Sequence, residues 1–117
     1  MKKIYLAIPY SRVDKELAFK VVNIITAQLM NERNIVFSPI SHSHCVAKEN
    51  SLPTSWDYWE AQDRSFIEWC DEVHVVVMGK DGIRYIEESV GVQAELEIAS
   101  QLHKPIKYIE WKTGSIL

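Results

Sequence analysis

The sequence predicts an α/β fold, a Rossmann-like or flavodoxin-like open parallel sheet with strand order 2-1-3-4 and helices on both faces. Two observations predict it. Short apolar runs alternate with longer stretches of helical periodicity, which implies βαβ units joined by right-handed crossovers. The 117 residues also contain no internal repeat, low-complexity run or linker, so residues 1–117 read as a single domain. In this topology the switch point lies between the first and third strands, and ligands sit beyond the carboxyl ends of the strands there. The loops at that position are Pro9 to Ser11 and Gly79 to Ser89.

The elements follow in order. Lys3 to Ile8 reads as a short buried strand ended by Pro9, which cannot donate to a ladder. A long amphipathic helix runs from about Arg12 to Glu32, with Leu17, Val21, Ile24 and Ile25 on one face and Ser11 as its N-cap. Ile35-Val36-Phe37 is a second strand closed by Ser38-Pro39, and Ser41 to Thr54 reads as a polar loop. A second helix spans about Ser55 to Asp71 and leads to the clearest strand signal, Val73 to Met78. Gly79 to Ile86 reads as a flexible loop over the ligand site, and a helix follows over Glu88 to Leu102. Pro105 introduces a last strand at Ile106 to Ile109; Glu110 to Leu117 is left unassigned.

Composition removes several function classes. Thirteen Lys and Arg against sixteen Asp and Glu, without a basic run, argue against a nucleic-acid surface. A small phosphorylated ligand needs only one or two cations and stays open. The two cysteines, Cys45 and Cys70, lack a CxxC spacing, which suits a reducing cytoplasm. The first apolar run reaches only Ile8, too short for a signal peptide or a membrane span.

The carboxylates are the informative residues. At roughly 100° per residue, the last helix puts Val92, Leu96, Ile98, Ala99 and Leu102 on one side, and Glu95 falls inside that apolar arc. The helix before the third strand repeats the anomaly: Trp56, Trp59, Phe66, Ile67 and Cys70 share a face, with Asp63 in its middle. An ionised carboxylate there loses hydration unless something compensates. Either the two acids are satisfied within the core, by backbone N–H groups or by Arg12 or Arg84, or they converge on the switch point for chemistry. Two carboxylates beside a concave site suit glycosidic bond cleavage, one as nucleophile on the anomeric carbon and the other serving the leaving group. A nucleophile must be ionised, and Glu95 lies within two turns of a helix N-terminus, which favours the anion.

Three patches carry a resemblance. Tyr5 in Ile-Tyr-Leu-Ala, Asp63 ahead of Cys70-Asp71-Glu72-Val73, and Ser89-Val90-Gly91-Val92-Gln93-Ala94-Glu95 resemble the nucleoside 2-deoxyribosyltransferase superfamily, which includes the 2′-deoxynucleoside 5′-phosphate N-hydrolases. Phe37 to His42 and Trp56 to Trp59 are similar to a small bacterial and phage branch of it. The resemblance implies that Glu95 is the nucleophile, that Asp63 handles the base and that Tyr5 orients the nucleophile. It also implies a homodimer or larger assembly, for which Trp111, Ile116 and Leu117 could supply contacts. Six residues before the nucleophile, members acting on free nucleosides tend to carry Asp and phosphate-tolerant hydrolases Ser; here it is Ser89. Ser11 and Arg12 at a helix start agree with an anionic group, which favours a nucleoside monophosphate as substrate class. Two departures from the pattern stand out: Ile8-Pro9-Tyr10-Ser11 contains no glycine, and Gln93 replaces the second glycine before the glutamate.

Other residues carry weaker signals. Pro9, Tyr10 and Gly91 fall in the predicted ligand loops, and Trp56, Tyr58 or Trp59 either stack on a base or pack in the core. His42 is a candidate ligand contact, whereas His42, His44 and Cys45 lack the second pair that a metal site needs. Gly79-Lys80-Asp81-Gly82 is not a Walker loop, and Cys70 reads as an inert core thiol. No cofactor and no metal are expected. Two functions remain: an enzyme that cleaves the N-glycosidic bond of a nucleotide or nucleoside, by hydrolysis or base transfer, and a non-catalytic module that sequesters a nucleotide.

Overall fold

The computed structural model describes residues 1–117. Four parallel strands, β1 (Lys3–Ala7), β2 (Ile35–Phe37), β3 (Glu72–Val77) and β4 (Ile106–Glu110), form one sheet in the order β2-β1-β3-β4. Five helices connect them: α1 (Lys15–Asn31), α2 (Pro39–Asn50), α3 (Trp56–Trp69), α4 (Gly82–Glu88) and α5 (Val90–Gln101). The strand order and the switch between β1 and β3 are as the sequence predicts. None of the helices is long and apolar enough to cross a membrane.

Strand alternation divides the core. Tyr5 and Ala7 of β1 join Val73, Val75 and Val77 of β3 on one face, beneath Ile67 of α3 and Val92, Ile98 and Ala99 of α5. Leu6 and Ile8 point the other way with Val76 and Met78, against Ala18, Val21, Val22 and Ile25 of α1. Tyr5 thus faces α3 and α5, which carry the two inward acids. The register Tyr5↔Val73 puts it beside the middle of the sheet.

Four local expectations are corrected. The N-cap of the first helix is Asp14, not Ser11: its carboxylate accepts from the Leu17 N–H at 2.8 Å, so the helix begins at Lys15. The buried face of α1 is Ala18-Val21-Val22-Ile25, while Leu17 and Ile24 are exposed. Residues 41–50 are helix rather than loop, because Ser38 caps α2 and Pro39 occupies its first turn, where a missing N–H costs no hydrogen bond. Gly79 to Ile86 is not a loop over the site. Most of it is α4, with Ile86 packed into the core. The tail folds back through an antiparallel bridge between Ile109 and Ile116, and Trp111 packs against the α1-side core.

Gly82 lets α4 start directly on the end of β3. A Cβ there would lie 2.6 Å from Val77 Cγ1 and 3.0 Å from the Val77 carbonyl carbon, a backbone atom that cannot swing aside. Gly82→Ala is expected to destabilise the protein by about 1–3 kcal/mol, read as a lower urea midpoint at unchanged slope. An unchanged midpoint would show that α4 is free to shift.

Candidate active site

A cavity of about 440 Å³ opens beyond the carboxyl ends of the strands. Its walls come from the segment after β1 (Ile8, Tyr10, Ser11), one stripe of α2 (Ile40, Ser43, His44, Ala47), the start of α3 and the Ser89–Glu95 segment. Asp63 and Glu95 both line it, although each is only 6% exposed. The two acids therefore sit at the bottom of a recess and not on its rim.

The Tyr5 hydroxyl, fully buried beneath the cavity, donates a hydrogen bond to Glu95 Oε2. That bond favours the carboxylate, but desolvation outweighs it and pushes the Glu95 pKa up to about 8, with the nearby Asp63 charge adding to the rise. Asp63 Oδ1 has no hydrogen-bond partner, and burial raises its pKa to about 7. Tyr5 is held well above its ordinary value, first by burial and then by Glu95 and Asp63, so it remains a donor. The helix dipole therefore does not set the state of Glu95, contrary to the expectation from its place near a helix start. Glu95 lies in the second turn of α5, where the dipole has faded and burial dominates. Neither arginine compensates the acids: Arg12 pairs with Glu88 at 3.5 Å and Arg84 with Asp81 at 3.7 Å.

Ser89 is buried and lines the cavity at the N-terminus of α5, where its Oγ accepts from the Val92 N–H at 3.2 Å. Its hydroxyl proton remains available to a ligand. Gly91 also lines the cavity, but a Cβ there would meet nothing closer than Trp56 Cε3 at 4.0 Å, so space alone does not demand glycine. Gln93 points elsewhere, its amide donating to the Ile86 carbonyl at 2.9 Å. Trp56 and Trp59 line the mouth, with Trp59 Nε1 donating to the Pro53 carbonyl at 2.8 Å.

Three expected contacts are placed elsewhere. Pro9 is buried in the fold and does not line the cavity; Arg12 lies outside it, drawn to Glu88. His42 is turned toward Phe37 and Ser43, because on α2 it falls off the stripe that faces the cavity. The histidine on that stripe is His44, which contacts Tyr10 and Glu16. Its signal was present in the sequence as the 40, 43, 44, 47 spacing, legible only once Ser38-Pro39 is read as a helix start. Asp57 also lines the cavity unanticipated, whereas no Lys or Arg does.

Comparisons with known proteins come down on the fold. The family described as "Domain of unknown function (DUF1937)" matches residues 2–111. No curated protein matches the chain. Among solved structures, a 2-deoxyribosyltransferase of Bacillus psychrosaccharolyticus is similar at a TM-score of 0.57 and 24% identity, over 98% of this chain and 76% of that one. A 2-deoxyribosyltransferase of Leishmania mexicana is similar at a TM-score of 0.61 and 20% identity, over 94% of this chain and 65% of that one.

The raised acids set a pH dependence of stability. Between its unfolded value of 4.5 and about 8, Glu95 holds its proton in the folded protein but loses it in the unfolded chain. Stability is therefore lost as pH rises through this window. Glu95→Gln is expected to be more stable than the parent at pH 8.5 by on the order of 2–5 kcal/mol, and close to it at pH 4.5. Thermal denaturation at the two pH values reads this directly, and an equal difference at both would contradict a buried, protonated Glu95.

Proposed function

We propose that this chain, which belongs to the DUF1937 family and has the fold of the 2-deoxyribosyltransferases, cleaves the N-glycosidic bond of a nucleoside 5′-monophosphate or nucleoside through Glu95. The observation that carries this reading is the grouping of Tyr5, Glu95 and Asp63, in which two desolvated carboxyl groups share one recess and Tyr5 fixes one of them. Glu95 attacks the anomeric carbon to form a glycosyl ester, while Asp63 gives its proton to the departing base. The ester is then resolved by water, giving hydrolysis, or by a second base, giving transfer.

The competent arrangement has the single proton of the pair on Asp63 and none on Glu95. Between about 7, where Asp63 titrates, and about 8, where Glu95 does, the pair holds one proton, which rests mainly on Glu95 and must pass to Asp63 for reaction. A sugar entering the recess adds positive character at C1′ as the bond breaks, and this stabilises the Glu95 anion when it is needed. Trp56 and Trp59 at the mouth offer flat surfaces for a base.

For the 5′ end, Ser89 and Ser11 offer hydroxyl donors, and the N–H groups at the start of α5 favour an anion. Assembly into a dimer or larger oligomer, with Ile116 and Leu117 exposed for contact, is part of the same reading.

A second reading is a nucleotide-sequestering module without turnover, and the high pKa of Glu95 favours it, since a protonated acid is no nucleophile. Incubation with a panel of deoxy- and ribonucleosides and their monophosphates separates the two. The enzyme reading expects free base whose release falls at least about a thousandfold in Glu95→Ala; tight binding without base in either protein supports the module. The kcat/KM profile is expected to be bell-shaped and centred near pH 7.5, between the two acids. A flat profile from pH 6 to 9 would remove the shared-proton mechanism. Ser89→Asp is expected to harm monophosphates more than free nucleosides, and equal losses would refute the phosphate contact.

A further inference from the structure

A second polar chain borders the cavity on the α1–α2 side, apart from the acids. Tyr10 and His44 both line the cavity, and the Tyr10 hydroxyl is bonded to His44 Nδ1. His44 Nε2 lies 3.1 Å from Glu16 Oε1 on α1, and Lys48 Nζ lies 3.0 Å from the same oxygen. The imidazole is 7% exposed and stacked on Phe19, with centroids 4.5 Å apart. Its ring is therefore fixed in place as well as bonded at both nitrogens.

We propose that this chain makes the Tyr10 oxygen a dedicated hydrogen-bond acceptor that selects ligands presenting an O–H or N–H donor at this end of the cavity. The inference rests on the cavity being the ligand site. The direction of each bond follows from the far end. Lys48 and His44 hold the Glu16 carboxyl below its ordinary range, so it is an anion and only accepts. In its neutral form the ring must then carry its proton on Nε2, which leaves Nδ1 bare. A bare Nδ1 accepts, so the Tyr10 hydroxyl donates to it and has its lone pairs left for the cavity.

A ligand donor meets those lone pairs. A ligand acceptor meets an oxygen with no proton to give, and two lone pairs facing each other are unfavourable. The matching groups on a nucleoside are a sugar hydroxyl or the exocyclic amine of the base. His44 and Glu16 are positioning residues, acting only through the phenol.

Binding titrations on matched ligand pairs test the proposal. One pair differs in the exocyclic amine (adenosine and purine riboside), the other in the 3′-hydroxyl (adenosine and 3′-deoxyadenosine), each measured on the parent and on Tyr10→Phe. Glu95→Gln is used as the common background so that ligands stay intact. Tyr10→Phe is expected to weaken the donor-bearing member of one pair by about three- to tenfold and to leave its donor-free partner unchanged. The pair that shows this coupling identifies the donor. Equal weakening of every ligand, no weakening of any, or no binding at all would overturn the proposal.

The tautomer provides a readout without ligand. Nitrogen NMR of the parent at pH 8.5 is expected to show His44 with a bare Nδ1 and a proton on Nε2, and Glu16→Gln is expected to release it into a mixture. A proton on Nδ1 in the parent would overturn the proposal. Selective binding in this background, with no base released by the protein that retains Glu95, removes the glycosidase reading alone, whereas base release by that protein without selectivity at Tyr10 removes only this one.

Discussion

The hydrogen bond from Tyr5 to Glu95 is the contact on which the rest of the site depends. It joins one of the two central strands of the sheet to α5, at the floor of the cavity. A carboxyl group buried among Val92, Ile98 and Ala99 loses hydration that the one hydrogen bond from Tyr5 replaces only in part. Burial raises its pKa to about 8, the single phenol partner opposes that rise only in part, and neither nearby arginine joins the pair. Such a group persists at the expense of stability, the usual condition of a residue kept for chemistry.

The strand pleat explains why three residues distant in sequence meet. Alternation along β1 sends Tyr5 to the face covered by α3 and α5, and both helices present an acid from the middle of their apolar stripe. Asp63 and Glu95 then face one recess without neutralising each other, and Asp63 retains an oxygen with no partner. The opposite wall has the reverse character. Tyr10, His44, Glu16 and Lys48 form a chain in which both ring nitrogens of His44 have partners. One side of the cavity thus leaves a buried carboxyl oxygen without a partner, and the other pairs its polar groups.

The fold was legible because its signals are strong and redundant. Runs such as Glu72–Val77 are buried throughout, and the misfit of Glu95 and Asp63 in helical projection marks them in the sequence as inward-facing acids. The helix α2 is not legible in the same way. Its composition, Pro-Ile-Ser-His-Ser-His-Cys, is poor in helix formers, and its start signal at Ser38-Pro39 served equally well as a strand terminator. Taken as a loop, the stretch offers His42 to the site, whereas the helix turns His44 toward the cavity. Arg12 was misplaced for a different reason: its partner Glu88 is seventy-six positions away, and no local pattern reports a long-range surface ion pair. The sequence marks Glu95 as inward-facing but does not show that one phenol is its bonded partner, so the balance between burial and the helix dipole is not legible there.

The central claim is that Glu95, and no other residue, bonds to the sugar. A nucleoside carrying fluorine at C2′ slows breakdown of a glycosyl ester, because the fluorine destabilises the positive charge that develops at C1′. Incubation of the protein with such a nucleoside, followed by peptide mapping by mass spectrometry, examines the claim directly. The expected result is a peptide gaining the mass of the fluorosugar with the label on Glu95, absent in Glu95→Gln. A label on another residue, or base release with no labelled protein at any time point, would contradict it.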